Sequence, residues 1–224
     1  MPRLKAAKRS PALPADADGR CLTVLQLTPA LNDGGAELSA VEMAGYLHRH
    51  GHRALVASSG GKRLNDLIKN GGMFFSLPLA SKNPLRWIWN GWRLRCLIIE
   101  QRVQLVHARS RAPAWSGWLA ARWAGVPFVA TFHGTYSLGW FGLKRFYNSV
   151  MLRGPLVIAN SQFIKGHLVE NYGVAPQRVV VAARGIDPAQ YDVGLFNQKQ
   201  RVTMRAAWGC GEDEVVLVMV GRLT

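Results

Sequence analysis

The chain is predicted to fold as an α/β domain doubly wound about a mostly parallel sheet, and three observations predict it. Short aliphatic and β-branched runs recur along the sequence as continuous apolar stretches, the pattern of strands buried on both faces. Helix-length segments separate them throughout. Of the 224 residues, 49% are hydrophobic, enough to cover both faces of such a sheet.

Each element follows in order. "CLTVLQL" (21–27) is the first strand, and a helix from about Ala36 to His50 follows it, stopped at Gly51. "RALVASS" (53–59) and "MFFSLPL" (73–79) are the second and third strands. A helix opens at Pro84, the favoured first helical position, and runs to about Arg102. "QLVHARS", the helix "AWSGWLAARWAG", "PFVATFHG", a helix from about Lys144 to Leu152, "PLVIANS", the helix "QFIKGHLVENYG" and "RVVVAA" complete the series.

The last segment has a different character. "RGIDPAQYDVGLFNQKQ" lacks core periodicity, so residues 21–184 are expected to form the domain and 185–213 a linker with a short helix near Val202–Trp208. "EVVLVMVGRLT" (214–224) is expected to be a strand. It is either the first strand of a second domain that the sequence does not contain or a last edge strand of the same sheet. The length of the linker favours the first, so the 224 residues alone are expected to represent a truncated molecule.

Lys and Arg number 28 against 13 Asp and Glu, a formal charge of +15. That excess concentrates anionic partners such as phosphorylated sugars, anionic lipids or nucleic acid, and is silent about fold. Cys21, Cys96 and Cys210 lie far apart, in no metal-ligand spacing, and read as thiols of a reducing compartment. Residues 1–20 are basic, then rich in Pro, Ala and Asp, without the apolar run of a signal peptide, and are expected to be a disordered arm. No stretch reaches the ~18 uncharged apolar residues of a membrane span. The expected location is the cytoplasm, with any membrane contact peripheral.

In open parallel sheets, ligands collect beyond the carboxyl ends of the strands. "NDGGAE", "HARSRAP", "TFHGTY" and "ANSQF" all fall there. Gly34 and Gly35 relax the steric limit on φ and let backbone approach a ligand, and the helix that follows aims free N–H groups and its positive end at the same turn. The turn is neither a dinucleotide fingerprint nor a phosphate loop with its lysine, and such a turn alone is more often a fold connection than a ligand site. His133 leaves an apolar strand beside Gly134, so its ring should emerge at the ligand edge; a structural histidine is the even alternative. His107 sits within or at the end of its strand and is expected to be a hydrogen-bonded structural histidine. Arg109 and Arg111, with Ser110 and Thr135, form a candidate acceptor-side set, able to hold a phosphate or carboxylate.

The ordered series "LNDGGAE", "VHARSRAPAW", "TFHG", "ANSQFIKGHLVENYGVAPQRVVVAARGID" and "VGRLT" resembles the retaining glycosyltransferases of family 4, specifically bacterial enzymes that extend lipopolysaccharide core or other envelope glycans. No single motif is specific; their order is, across Leu22–Thr224. The resemblance implies a GT-B architecture of two Rossmann-like lobes, of which this chain is the N-terminal, acceptor-side one. It implies a nucleotide-sugar donor, a glycan or lipid-linked acceptor, and no metal or other cofactor. Gly34 and Gly35 match the loop near the donor diphosphate, His133 the histidine near the reacting end of the sugar, and Arg222 a donor-phosphate arginine whose lysine partner would lie beyond Thr224. "ARGID" departs from the commoner "PNGID", which leaves Arg184 without an assigned role. The 224 residues alone are expected to transfer little sugar.

On a helical plot of "NPLRWIWNGWRLRCLIIEQR", Leu85, Ile88, Trp89, Trp92, Cys96 and Ile99 form one stripe, the expected core face. Trp87, Leu94 and Ile98 form a narrower stripe opposite, flanked by Arg86 and Arg93 on one side and Arg95 and Arg102 on the other. Tryptophan among arginines suits an anionic membrane interface; packing on a neighbouring helix is the plain alternative. Tyr136–Met151, with Trp140, Lys144 and Arg145, is a second membrane candidate. Two other function classes stay open: a non-catalytic acceptor- or membrane-binding domain, and a nucleic-acid module motivated by charge alone, for which no recognition motif is present. A sugar-nucleotide epimerase should carry more acidic groups in its cleft. Nucleic acid is not an expected partner.

Overall fold

The computed structural model describes residues 21–136, 143–185, 188 and 192–219. The chain divides into two units, Met1–Ala183 and Arg184–Thr224. In the first, β1 (Thr23–Leu27), β2 (Arg53–Ser58), β3 (Met73–Ser76), β4 (Leu105–Ala108), β5 (Phe128–Phe132), β6 (Val157–Ala159) and β7 (Val179–Val181) form one sheet. Its order is β3-β2-β1-β4-β5-β6-β7, every pair parallel. The strand order reverses direction between β1 and β4, which makes that junction the topological switch point where open α/β sheets bind ligands.

Side chains alternate across the strands and sort the core into two layers. Leu25, Leu27, Leu55 and Ala57 share a cluster with Leu94, Leu97 and Ile98 of α3 (Pro84–Gln101) and with Ala114, Trp115 and Ala120 of α4 (Arg111–Ala124). Val24, Ala54 and Val56 share the other with Val41, Ala44 and Leu47 of α1 (Gly35–Arg49) and Leu67 of α2 (Leu64–Lys69). Helices thus cover both faces. α2 was not expected from the sequence, because six residues without a side-chain cap give little periodic signal. The predicted seventh strand and the helices α5 (Leu143–Ser149, continued by a 3₁₀ turn to Leu152) and α6 (Gln162–Tyr172) lie where expected.

α3 presents the face opposite to the one its helical plot favours. Asn90, Gly91, Leu94, Leu97 and Ile98 are buried, whereas Trp89 is 51% and Trp92 46% exposed. Gly91 explains the choice. A Cβ there would lie 3.0 Å from Trp123 Cζ3 and 3.2 Å from the Leu119 Cβ, so only the glycine face admits α4 this closely. The wider apolar stripe was the better hydrophobic face, but backbone approach decided. Trp87, expected at a membrane, instead stacks on Trp115 at 5.0 Å between centroids and donates from Nε1 to the Ser81 carbonyl at 2.8 Å.

The second unit holds α7 (Gln198–Ala207), which starts four residues before the expected helix. Its start is set by a capping box: the Asn197 side chain accepts from the Gln200 N–H while the Gln200 side chain accepts from the Asn197 N–H. The strand expected over 214–224 is not formed over residues 214–219, where Val215, Leu217 and Met219 are nearly fully exposed. A strand needs a ladder partner, and none pairs with it among the described residues. The N-terminal arm (1–20), Trp140 and Arg222 lie outside the described residues.

Candidate active site

Parallel pairing in the order β1-β4-β5-β6 sets four expected segments side by side at the carboxyl edge: the turn before Gly34–Gly35, Arg109–Arg111, His133–Thr135, and Asn160–Ser161. Beneath them runs a buried polar row. Gln26 on β1 is in register with His107 on β4, and both side chains, with Thr131 of β5, are buried. Arg109 leaves β4 and turns back over this row; its Nε donates to Gln26 Oε1 at 2.9 Å, and Gln26 Nε2 donates to the Ala40 carbonyl of α1 at 3.0 Å. A guanidinium is therefore fixed at the switch point, 4% exposed. The sequence pointed to a loop arginine; burial makes it a part of the floor.

His107 Nε2 lies 2.7 Å from Thr131 Oγ1, which agrees with the structural role expected for it. Burial first, then the charges of Arg109 and His133, hold its pKa well below 6.5, so the imidazole is neutral at neutral pH. Arg109 adds a guanidinium to this buried row.

Around the first turn, neither Gly34 nor Gly35 uses positive φ. Gly34 has φ −106° and ψ 157°, open to any residue. A side chain there would meet the Glu37 carboxylate, the tip of a flexible side chain that can swing aside. Positive φ is used nearby, at Gly61 (147°), whose Cβ would fall 2.6 Å from the Leu31 carbonyl. That approach lets residues 60–63 brace the turn: Leu31 N–H donates to the Gly60 carbonyl, Arg63 N–H to the Leu31 carbonyl, both at 2.8 Å, and Lys62 pairs with Asp33 at 2.8 Å. Lys62 lowers the Asp33 pKa by hydrogen bond and charge.

His133 is half-buried and Thr135 exposed. Asn160, after β6, donates to the His133 carbonyl at 3.1 Å and ties the two strand ends together. Arg111 does not stand in a loop as expected. α4 begins at this residue, with Ser110 as its N-cap and Pro113 in the first turn, where proline is tolerated. Its guanidinium covers the Tyr136 ring at 4.3 Å and the Tyr147 ring at 5.6 Å, and donates to Asn148 Oδ1 at 3.1 Å. Asn148 in turn donates to the Tyr172 hydroxyl at 2.9 Å. Arg111 thus holds Tyr136, three residues after His133, a role no motif signalled. Lys144 and Arg145 are exposed on α5.

The sequence model described as Glycosyltransferase Family 4 matches residues 33–190, which spans the site from the glycine turn past β7. The chain belongs to glycosyltransferase family 4. Among curated proteins, a D-inositol 3-phosphate glycosyltransferase of Segniliparus rotundus is 29% identical over 133 residues, 54% of this chain and 28% of that protein. Among solved structures, a glycosyltransferase from Rickettsia africae superposes with a TM-score of 0.74 at 35% identity, over 86% of this chain and 51% of that one. Anabaena HepE, crystallised with UDP and glucose, superposes at 0.64 with 20% identity, over 84% of this chain and 50% of that one, a likeness of fold. The chain spans about half the length of these two structures and 28% of that curated relative.

Proposed function

We propose that this chain is the acceptor-side lobe of a retaining glycosyltransferase that moves a sugar from a nucleoside-diphosphate donor, and that a companion lobe completes the donor site. One observation supports the reading: in a family 4 chain, the glycine turn, the buried Arg109 and His133 follow the neighbouring strands β1, β4 and β5 at the carboxyl edge. The N–H groups at the start of α1 and the positive field of Arg109 face the negative charge that grows on the leaving diphosphate, and a site stronger for that charge than for the bound donor accelerates transfer. His133 orients the sugar. The bond from the anomeric carbon to the diphosphate oxygen breaks, the acceptor oxygen bonds that carbon on the same face, and the acceptor proton passes to the departing phosphate. Neither a metal nor a protein nucleophile is invoked.

The acceptor has two readings. The motif series favours a glycan or lipid-linked acceptor of the bacterial envelope. The names of the curated relatives favour a phosphorylated polyol, a class that a guanidinium such as that of Arg109 can pair with. The experiment is a transfer assay on the chain joined to a companion lobe, with nucleotide sugars tried against both acceptor classes. Nucleoside diphosphate release that depends on one acceptor class supports the reading and selects the acceptor. His133→Ala should lower turnover about a hundredfold; unchanged turnover would make the histidine structural.

A further inference from the structure

The stripe that α3 turns away from the core is not scattered apolar surface. Leu85, Ile88, Trp89 and Trp92, with Arg95 and with Trp123 of α4, line one open groove of about 690 Å³. Ile99, 55% exposed and one turn beyond Arg95 on α3, continues the apolar stripe. Arginines rim it in fixed positions. The Arg93 guanidinium lies 4.7 Å from the Trp89 ring centroid, and Arg95 Nε donates to the Trp123 carbonyl at 3.2 Å. Arg86 and Arg122 are exposed beside it. On the two helices, the only carboxylate against these arginines is Glu100.

We infer that this groove docks the protein on the surface of an anionic lipid bilayer. Three indoles whose rings have an apolar body and a polar N–H match the headgroup–acyl boundary, and arginines alongside them pair with anionic headgroups. The contact is interfacial, since no helix among the described residues is long and apolar enough to cross a membrane. A second copy of the chain is a poorer occupant: a two-fold contact would set Arg86, Arg93 and Arg95 against their own copies with one carboxylate to offset them. Nucleic acid would meet tryptophan and isoleucine where it needs continuous cation. The inference is independent of sugar transfer, and it moves the membrane face from the Trp87 side of α3 to the opposite one.

The test is co-sedimentation of the protein with phosphatidylcholine vesicles, with and without phosphatidylglycerol, beside Trp89→Glu/Trp92→Glu. Binding should require the anionic lipid, weaken with salt, and fall more than about tenfold in the double variant, whose circular dichroism should be unchanged because both positions are exposed. Brominated lipids should quench tryptophan emission of the unaltered protein, a readout that needs no variant. Absence of binding, equal binding to neutral vesicles, full binding by the folded variant, or a dimer in light scattering that the variant abolishes would each overturn the inference.

Discussion

The Nε of Arg109 lies 2.9 Å from Gln26 Oε1 beneath the carboxyl ends of β1 and β4. Through Gln26 Nε2 and the Ala40 carbonyl, that contact fixes α1 and the switch-point cation in one frame. Gln26→Ala removes an acceptor from a buried guanidinium and a donor from a buried carbonyl. It should destabilise the fold by about 3 kcal/mol in urea denaturation; a loss below ~1 kcal/mol would mean Arg109 is held by other groups.

Arg111, an acceptor-side candidate in the sequence, packs its guanidinium on Tyr136 and bonds Asn148 in the structure. Lysine keeps the charge but loses the planar stack on Tyr136 and Tyr147. Arg111→Lys should therefore cost about 1–2 kcal/mol and raise amide exchange at His133–Tyr136. Unaltered exchange would place the order of that segment elsewhere.

Gly91 sets which face of α3 is buried. Gly91→Val would drive side-chain carbon into Trp123 and Leu119 and should cost about 3 kcal/mol by thermal unfolding. A variant as stable as the parent would show that α3 can lift from α4 freely.

The pH dependence of stability has a definite sign. Burial depresses the His107 pKa in the folded chain below the 6.5 of an unperturbed histidine. Above 6.5 the ring is neutral in both states and folding carries no penalty. As pH falls through 6.5, the unfolded chain binds a proton that the folded chain refuses, so stability declines by up to about 1.4 kcal/mol per pH unit until the folded pKa is reached. Urea denaturation between pH 7.5 and 5, compared with His107→Gln, isolates this slope; equal slopes would assign the acid sensitivity to other groups.

Seven strands and their order of appearance were legible in the sequence because strands of a doubly covered parallel sheet are uninterrupted apolar runs. Helix ends were legible where the chain carries a stop or start that acts locally, as at Pro84 and Gly173. Orientation was not. The plot of α3 weighs side chains and cannot weigh the absent side chain of Gly91, whose effect exists only against Leu119 and Trp123. The site was legible as a list of strand-end residues, yet not in its depth: nothing in "HARSRAP" distinguishes Arg109, drawn into the floor by Gln26, from Arg111, drawn sideways by two tyrosines. Gln26 lies 83 residues from Arg109, and Tyr136 and Tyr147 lie 25 and 36 from Arg111, beyond the reach of local pattern.

The central claim is that the carboxyl edge receives the donor's diphosphate between the glycine turn and His133. Titration of the isotope-labelled chain, joined to its companion lobe, with uridine diphosphate, followed residue by residue by NMR, measures it most directly. The amides of Gly34, Gly35, His133 and Gly134 should shift together with one saturation curve, and Arg109 Nε–H with them. Shifts that spare these residues while UDP binds elsewhere would contradict the account.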